Sequence, residues 1–162
     1  MRALTKCLVA GVATLAAFAV GMFGAPQARA QNGDATATLE SAATLTLPRP
    51  TDPAAVYLDL WVKAYTPPSR GAVEAVVSLA PAGRDAAVEI GRFAVFPSEP
   101  FIATEARDQR AYRFNATAAL HALKAGDDTL TLRIAMVSLI DAIPAQGAKL
   151  VLGKAAFGGP AP

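Results

Sequence analysis

A chain of 162 residues with one cysteine and one histidine cannot build a disulfide framework, a thiolate zinc site or a two-histidine metal site. Its formal charge of +2 depends on Arg2, Lys6 and Arg29 near the start. Without those three, 12 basic side chains of the original 15 face 13 acidic ones, a balance that argues against nucleic acid as a partner.

The first thirty residues read as a secretion signal. Arg2 and Lys6 form a basic start, and an apolar run follows from Cys7 to Pro26. Ala28-Arg29-Ala30 then puts small side chains at the two positions a signal peptidase pocket must accept. Ala28 and Ala30 therefore mark cleavage before Gln31. No Arg-Arg pair precedes the run, which points to general secretion of a periplasmic or secreted protein with no stable membrane insertion after cleavage. Cys7 opens the run, whereas a lipidated cysteine must follow it, so the mature chain is expected to be cysteine-free. The remaining ~132 residues form one domain large enough to fold without staples.

Residues 31–37 (QNGDATA) read as a flexible leader, and 38–158 as the folded domain with a flexible tail at 159–162. Thr38–Leu47 is a weak strand. In Ala55–Lys63, Val56, Leu58, Leu60 and Val62 share one face while Tyr57, Asp59, Trp61 and Lys63 share the other. Ala72–Ala80 alternates after a Pro-Pro-Ser-Arg-Gly break. Ala87–Phe96 follows the turn at 81–85, and Gly91 within it marks a bulge or a close backbone approach. Pro97–Gln109 reads as a long loop, and Ala111–Phe114 as a short strand. Ala118–Ala125 is a helix capped by Asn115 or Thr117 and stopped at Gly126, with Leu120 and Leu123 on one side. Thr129–Val137 and Lys149–Phe157 complete about seven strands around one core, an all-β antiparallel sandwich with one short helix.

The catalytic inventory is thin. His121 stands alone between Leu120 and Leu123 and reads as a partly buried structural histidine. Met136 points inward. Ser78, Ser98 and Ser138 lack a glycine elbow, and only His121 is available as their base. Asp127-Asp128 reads as turn solvation, and Glu99, Glu105 and Asp108 lack the regular spacing of calcium ligands. No cofactor is expected, and the chain reads as a non-enzyme. Asn115-Ala116-Thr117 matches a glycosylation sequon but is better explained by capping. Tyr57, Trp61 and Tyr65 form a sugar-stacking platform if they are exposed together. The strip from Phe93 to Phe101 mixes apolar and turn residues and suits projection from a sandwich edge.

The succession 72–81 (AVEAVVSLAP), 90–97 (IGRFAVFP), 112–123 (YRFNATAALHAL), 129–134 (TLTLRI) and 149–155 (KLVLGKA) resembles the β-sandwich domain found at the C-terminus of tyrosinases and polyphenol oxidases. Gly91, Phe93, Phe96, Phe114, Asn115, Thr117 and Gly153 stand where that family has its glycine-x-phenylalanine-x-phenylalanine strand, its Phe-Asp-Val-Thr helix start and its Val-Gly strand. The chain departs from the family in three ways. The di-copper domain with its six histidines is absent, Ser78-Leu79-Ala80-Pro81 replaces an Asn-Leu-Pro step, and Asn115 replaces the aspartate of the helix start. In the family this domain packs on the catalytic domain and covers the copper site entrance. The resemblance therefore implies an accessory, partner-binding subunit of a tyrosinase-type copper oxidase, with Tyr65, Phe96 and Phe101 as candidate interface aromatics. The alternative from the residues themselves is a cell-envelope carbohydrate-binding or adhesion module that uses Tyr57 and Trp61.

Overall fold

The computed structural model describes residues 31–51, 56–84, 86–123 and 128–159. The secretion signal with Ala28 and Ala30, the helix stop at Gly126, Asp127 and residues 160–162 lie outside the described residues.

Period-two patterning is realised as two packed antiparallel sheets. The strands are β1 (Gln31–Thr38), β2 (Ala43–Pro48), β3 (Tyr57–Thr66), β4 (Val73–Pro81), β5 (Val88–Phe93), β6 (Phe101–Ile102), β7 (Arg110–Asn115), β8 (Thr129–Ser138) and β9 (Lys149–Gly158). One sheet runs β1-β9-β3, with β6 and β7 both paired to the far side of β3; the other runs β2-β8-β4-β5. Alternate residues of each strand meet between the sheets. Leu58, Leu60 and Val62 of β3 and Leu150 and Leu152 of β9 lie fully buried opposite Val77 and Leu79 of β4 and Leu130, Leu132 and Ile134 of β8. Burial of such side chains contributes roughly 1.5–3 kcal/mol each, and this interior holds the domain together.

The segment read as a flexible leader is instead β1, paired with β9 from Gln31↔Ala155 to Thr38↔Lys149. Its only inward apolar side chains are alanines, of which Ala37 is fully buried. Backbone pairing to β9, rather than large side chains, therefore fixes it, and a hydrophobic pattern does not display such a strand. Continuous pairing over 38–47 is also broken: the Thr38 N–H donates to the Ser41 carbonyl at 2.7 Å, and Thr38 Oγ1 accepts from the Ser41 N–H at 3.1 Å. The expected loop 97–109 contains β6 and a 3-10 turn at Ala106–Asp108.

The helix α1 spans Thr117–Ala122, and Leu120 and Leu123 both face the core. The Asn115 side-chain oxygen Oδ1 accepts from the Thr117 N–H at 3.0 Å, while Thr117 Oγ1 accepts from the Val56 N–H at 3.1 Å and so ties the helix to the start of β3. Arg49 donates to the Leu120 carbonyl at 3.0 Å and also to that of Leu123, covering the last turn of α1. Gly91 fulfils both expectations. Ile90 is the extra residue of a bulge between Val77↔Gly91 and Ser78↔Glu89, and a Cβ at 91 would stand 2.7 Å from the Phe114 ring.

Registry divides the connections between two ends of the sandwich. The start of β1, the end of β9, the β4–β5 turn and α1 share one end. The β3–β4 and β8–β9 connections and the path from β5 through β6 to β7 share the other, the loop end.

Candidate partner-binding surface

Among the described residues, the exposed large hydrophobics are Phe96, Ile102, Leu139, Ile140 and Ile143, and all five lie at the loop end. Phe96 is 83% exposed and Ile102 78%. These side chains stand on connections that are pinned along their length.

The first connection leaves β5 at Phe93, whose ring packs 4.1 Å from Tyr112 and 5.9 Å from Phe114. Val95 and Ala103 are buried, and the Ala103 N–H donates to the Lys63 carbonyl at 2.7 Å. Arg110 donates to the Pro97 carbonyl at 2.8 Å and lies 3.9 Å over the Phe101 ring. Phe96 is thus turned outward between fixed neighbours.

The second connection carries Leu139, Ile140 and Ile143. The Leu139 N–H donates to the Ala72 carbonyl at 2.9 Å, and the Ile143 N–H to that of Ile140 at 3.1 Å. Ser138 Oγ donates to the Ile140 carbonyl and accepts from the Ala145 N–H at 3.2 Å. The β3–β4 connection braces it through the Ser69 N–H to the Gln146 carbonyl at 2.9 Å and the Gln146 N–H to the Arg70 carbonyl at 3.2 Å. Gly71 makes the fit possible: its φ is +74°, and a Cβ there would meet the Ile143 carbonyl oxygen at 2.6 Å.

Of the expected interface aromatics, Phe96 is on this surface. Phe101 is half-buried beneath Arg110, and Tyr65 is a correction. Strict alternation from Val56 would turn Tyr65 outward, but pairing runs Val62↔Leu152, Ala64↔Val151 and Tyr65↔Leu150, which leaves Lys63 as an extra residue. The bulge reverses the parity of β3, and Tyr65 is only 4% exposed. Burial pushes its phenol above the ordinary tyrosine value, with Tyr112 adding to the effect, and burial likewise raises Tyr112. Tyr65, Phe93, Val95 and Met136 help to line a cavity of about 10 Å³, room for no more than one water molecule. Sequence reading missed Ile102 and the second connection. Three large aliphatics within five residues (Leu139, Ile140 and Ile143) outside any alternating strand were the available signal.

The three-aromatic sugar platform loses Tyr65 to the interior. Tyr57 and Trp61 remain half-buried on the outer face of β3, with Arg113 5.7 Å over the Tyr57 ring and Lys154 4.8 Å over Trp61. Arg113 is held there by bonds of 2.6 and 2.9 Å to Asp59. A sugar stacking on these rings would have to displace those cations.

His121 is exposed at the α1 end, not partly buried, because the six-residue helix turns Leu120 inward and leaves its neighbour in solvent. It lies at the opposite end from Ser138, whose hydroxyl is already engaged in the turn. Ser78 faces the Arg133 carbonyl at 3.5 Å. Glu105 is paired to Arg107 at 3.0 Å, and Asp108 accepts from Thr104 Oγ1 at 3.4 Å. Met136 is buried in the core, as its inward position implied. Among the described residues, no three of His, Cys, Asp and Glu are grouped to hold a metal ion. The sequence matches neither a protein-family model nor a curated protein.

Proposed function

We propose that the chain is an exported, non-enzymatic accessory protein that docks by its loop end on a separate protein, a copper oxidase of the tyrosinase type. The observation that carries the docking is the gathering of five exposed apolar side chains on braced loops at one end of the sandwich. Preorganised apolar groups lose little conformational freedom on binding, and an exposed aromatic on a fixed loop suits an interface anchor. The oxidase as partner, and export through cleavage before Gln31, rest on the sequence reading. Support for the partner comes from the matched order of strands and helix, and from Gly91, Phe93 and Phe114 acting as one packed unit.

The test is co-expression of the full chain with a tyrosinase-type oxidase from the same cell, followed by purification through a tag on either protein. A stable complex, with copper loading of the oxidase raised by the chain, is the expected result. No complex and unchanged loading would refute the proposal.

A further inference from the structure

The strands that end the two sheets differ in what guards their open sides. β1 breaks register between Asn32 and Ala35 and carries Asp34. β7 bears Arg110 and Arg113, and β6 beside it has only two residues. β5 is bulged at Ile90 and bears Glu89 and Arg92, joined at 2.8 Å. Bulges and charges of this kind oppose pairing with a further strand. β2 has neither. All six of its residues (ATLTLP) pair with β8 in unbroken register, and none is charged. Among the described residues, no strand pairs with its other side.

The phase of the β2–β8 ladder determines which groups that side offers. The Arg49 N–H donates to the Asp128 carbonyl at 2.8 Å, one residue beyond the Pro48↔Thr129 pair. Bonded pairs alternate along an antiparallel ladder, so Leu47↔Leu130, Leu45↔Leu132 and Ala43↔Ile134 are the pairs that exchange bonds. Thr44 and Thr46 therefore aim their N–H and C=O groups away from β8, and Pro48 offers a carbonyl alone. Both threonines are exposed.

We infer that β2 pairs with β2 of a second copy, antiparallel about a twofold axis at Leu45, so that two four-stranded sheets become one continuous sheet. In that register Thr44 of each copy faces Thr46 of the other. Each such pair exchanges two backbone bonds and sets threonine against threonine on the outer face. No like charges meet along the seam, because β2 has none. Arg133, the β8 partner of Thr44, is separated from its counterpart by both β2 strands.

A free extended peptide is the weaker occupant. It must give up about 1–2 kcal/mol of backbone freedom per residue for the same bonds, whereas a second β2 is already held extended by its own β8. Pairing of β2 with β1, β5 or β7 of another copy meets the bulges and charges named above, and such a head-to-tail contact does not close on itself. Because the paired strands run in opposite directions, the two loop ends point apart. The inference leaves the docking surface free and does not rest on it.

Sedimentation velocity over a wide range of concentration tests this, with protein purified from cells expressing the full 162-residue sequence. A monomer–dimer equilibrium is expected. Thr46→Pro removes an outward N–H without touching the β8 ladder, and should weaken the dimer at least tenfold while the circular dichroism spectrum stays that of the folded parent. Thr44→Lys with Thr46→Lys sets ammonium groups against each other and should do the same. Thr44→Lys with Thr46→Glu brings opposite charges together and should restore the dimer; a register centred on Thr46 would instead oppose like charges. Phe96→Ser should leave the dimer unchanged. A chain monomeric at all concentrations overturns the inference. So does a dimer indifferent to the double lysine change, one that the lysine–glutamate pair fails to restore, or one abolished by Phe96→Ser.

Discussion

The Arg110 guanidinium covers the Phe101 ring at 3.9 Å while bonding the Pro97 carbonyl at 2.8 Å, so one side chain fastens both flanks of the segment that presents Phe96. A cation over an aromatic face contributes about 0.5–1 kcal/mol at a solvent-accessible site, and a charged donor to a carbonyl adds a similar amount. Arg110→Ala is expected to cost about 1 kcal/mol of global stability. It should also speed amide hydrogen exchange at 96–102 well beyond that at β4 or β8. Exchange mass spectrometry of the two proteins checks this, and uniform acceleration across the domain would contradict a local fastening role.

Phe96 is 83% exposed and contributes little to the interior. Phe96→Ser is therefore expected to leave thermal stability within about 0.5 kcal/mol of the parent. Binding to the proposed oxidase partner should weaken by about 2 kcal/mol or more, roughly thirtyfold, as for an interface anchor. Calorimetric unfolding and titration against the oxidase separate the two effects.

Gly91 and Phe114 occupy one space. A Cβ on residue 91 would lie 2.7 Å from the Phe114 Cδ1, so Gly91→Ala must displace that ring and is expected to cost about 1–3 kcal/mol. Adding Phe114→Leu to Gly91→Ala should destabilise less than the sum of the separate changes, because the smaller side chain removes the overlap. Denaturant unfolding of the two single variants and the double variant measures the coupling. Additivity would show that the overlap is relieved elsewhere.

The buried phenols give the domain an alkaline limit. Tyr65 and Tyr112 both have pKa values raised by burial above the ordinary value of 10.0. The neutral forms are thus favoured by the fold, and unfolding releases their protons more readily than the native state does. Their contribution is full below pH 10 and is lost as pH rises through the raised values. Unfolding free energy should fall above pH 10, and Tyr65→Phe should flatten part of that fall. Denaturant melts from pH 8 to 12 provide the comparison.

The sandwich was legible in the sequence because Val56, Leu58, Leu60 and Val62, and likewise Val73, Ala75, Val77 and Leu79, keep an unbroken period of two that matches the buried face of each sheet. Legibility failed where backbone, not side chain, decides. β1 is held by pairing and buries only alanine, so its pattern carries no hydrophobic signal. The bulge at Lys63 inverts β3 and hides Tyr65, and no residue type announces a bulge there as Gly91 does in β5. Ile140 and Ile143 lie between two alternating strands, in a stretch that ends in Pro144 and Gly147, so no strand or helix period marks which way they point. The candidate surface needed the third dimension, since residues 96, 102 and 139–143 meet at one end only through the registry of β3, β4 and β8.

Residue 31 begins β1 and residue 158 ends β9 at the same pole of the molecule, remote from Phe96 and Ile140. A tether attached through either end of the sandwich domain therefore pulls from the side opposite the exposed apolar loops. A surface-immobilised, fused or displayed version of this domain keeps its apolar loops pointed outward into solution, whichever terminus carries the attachment.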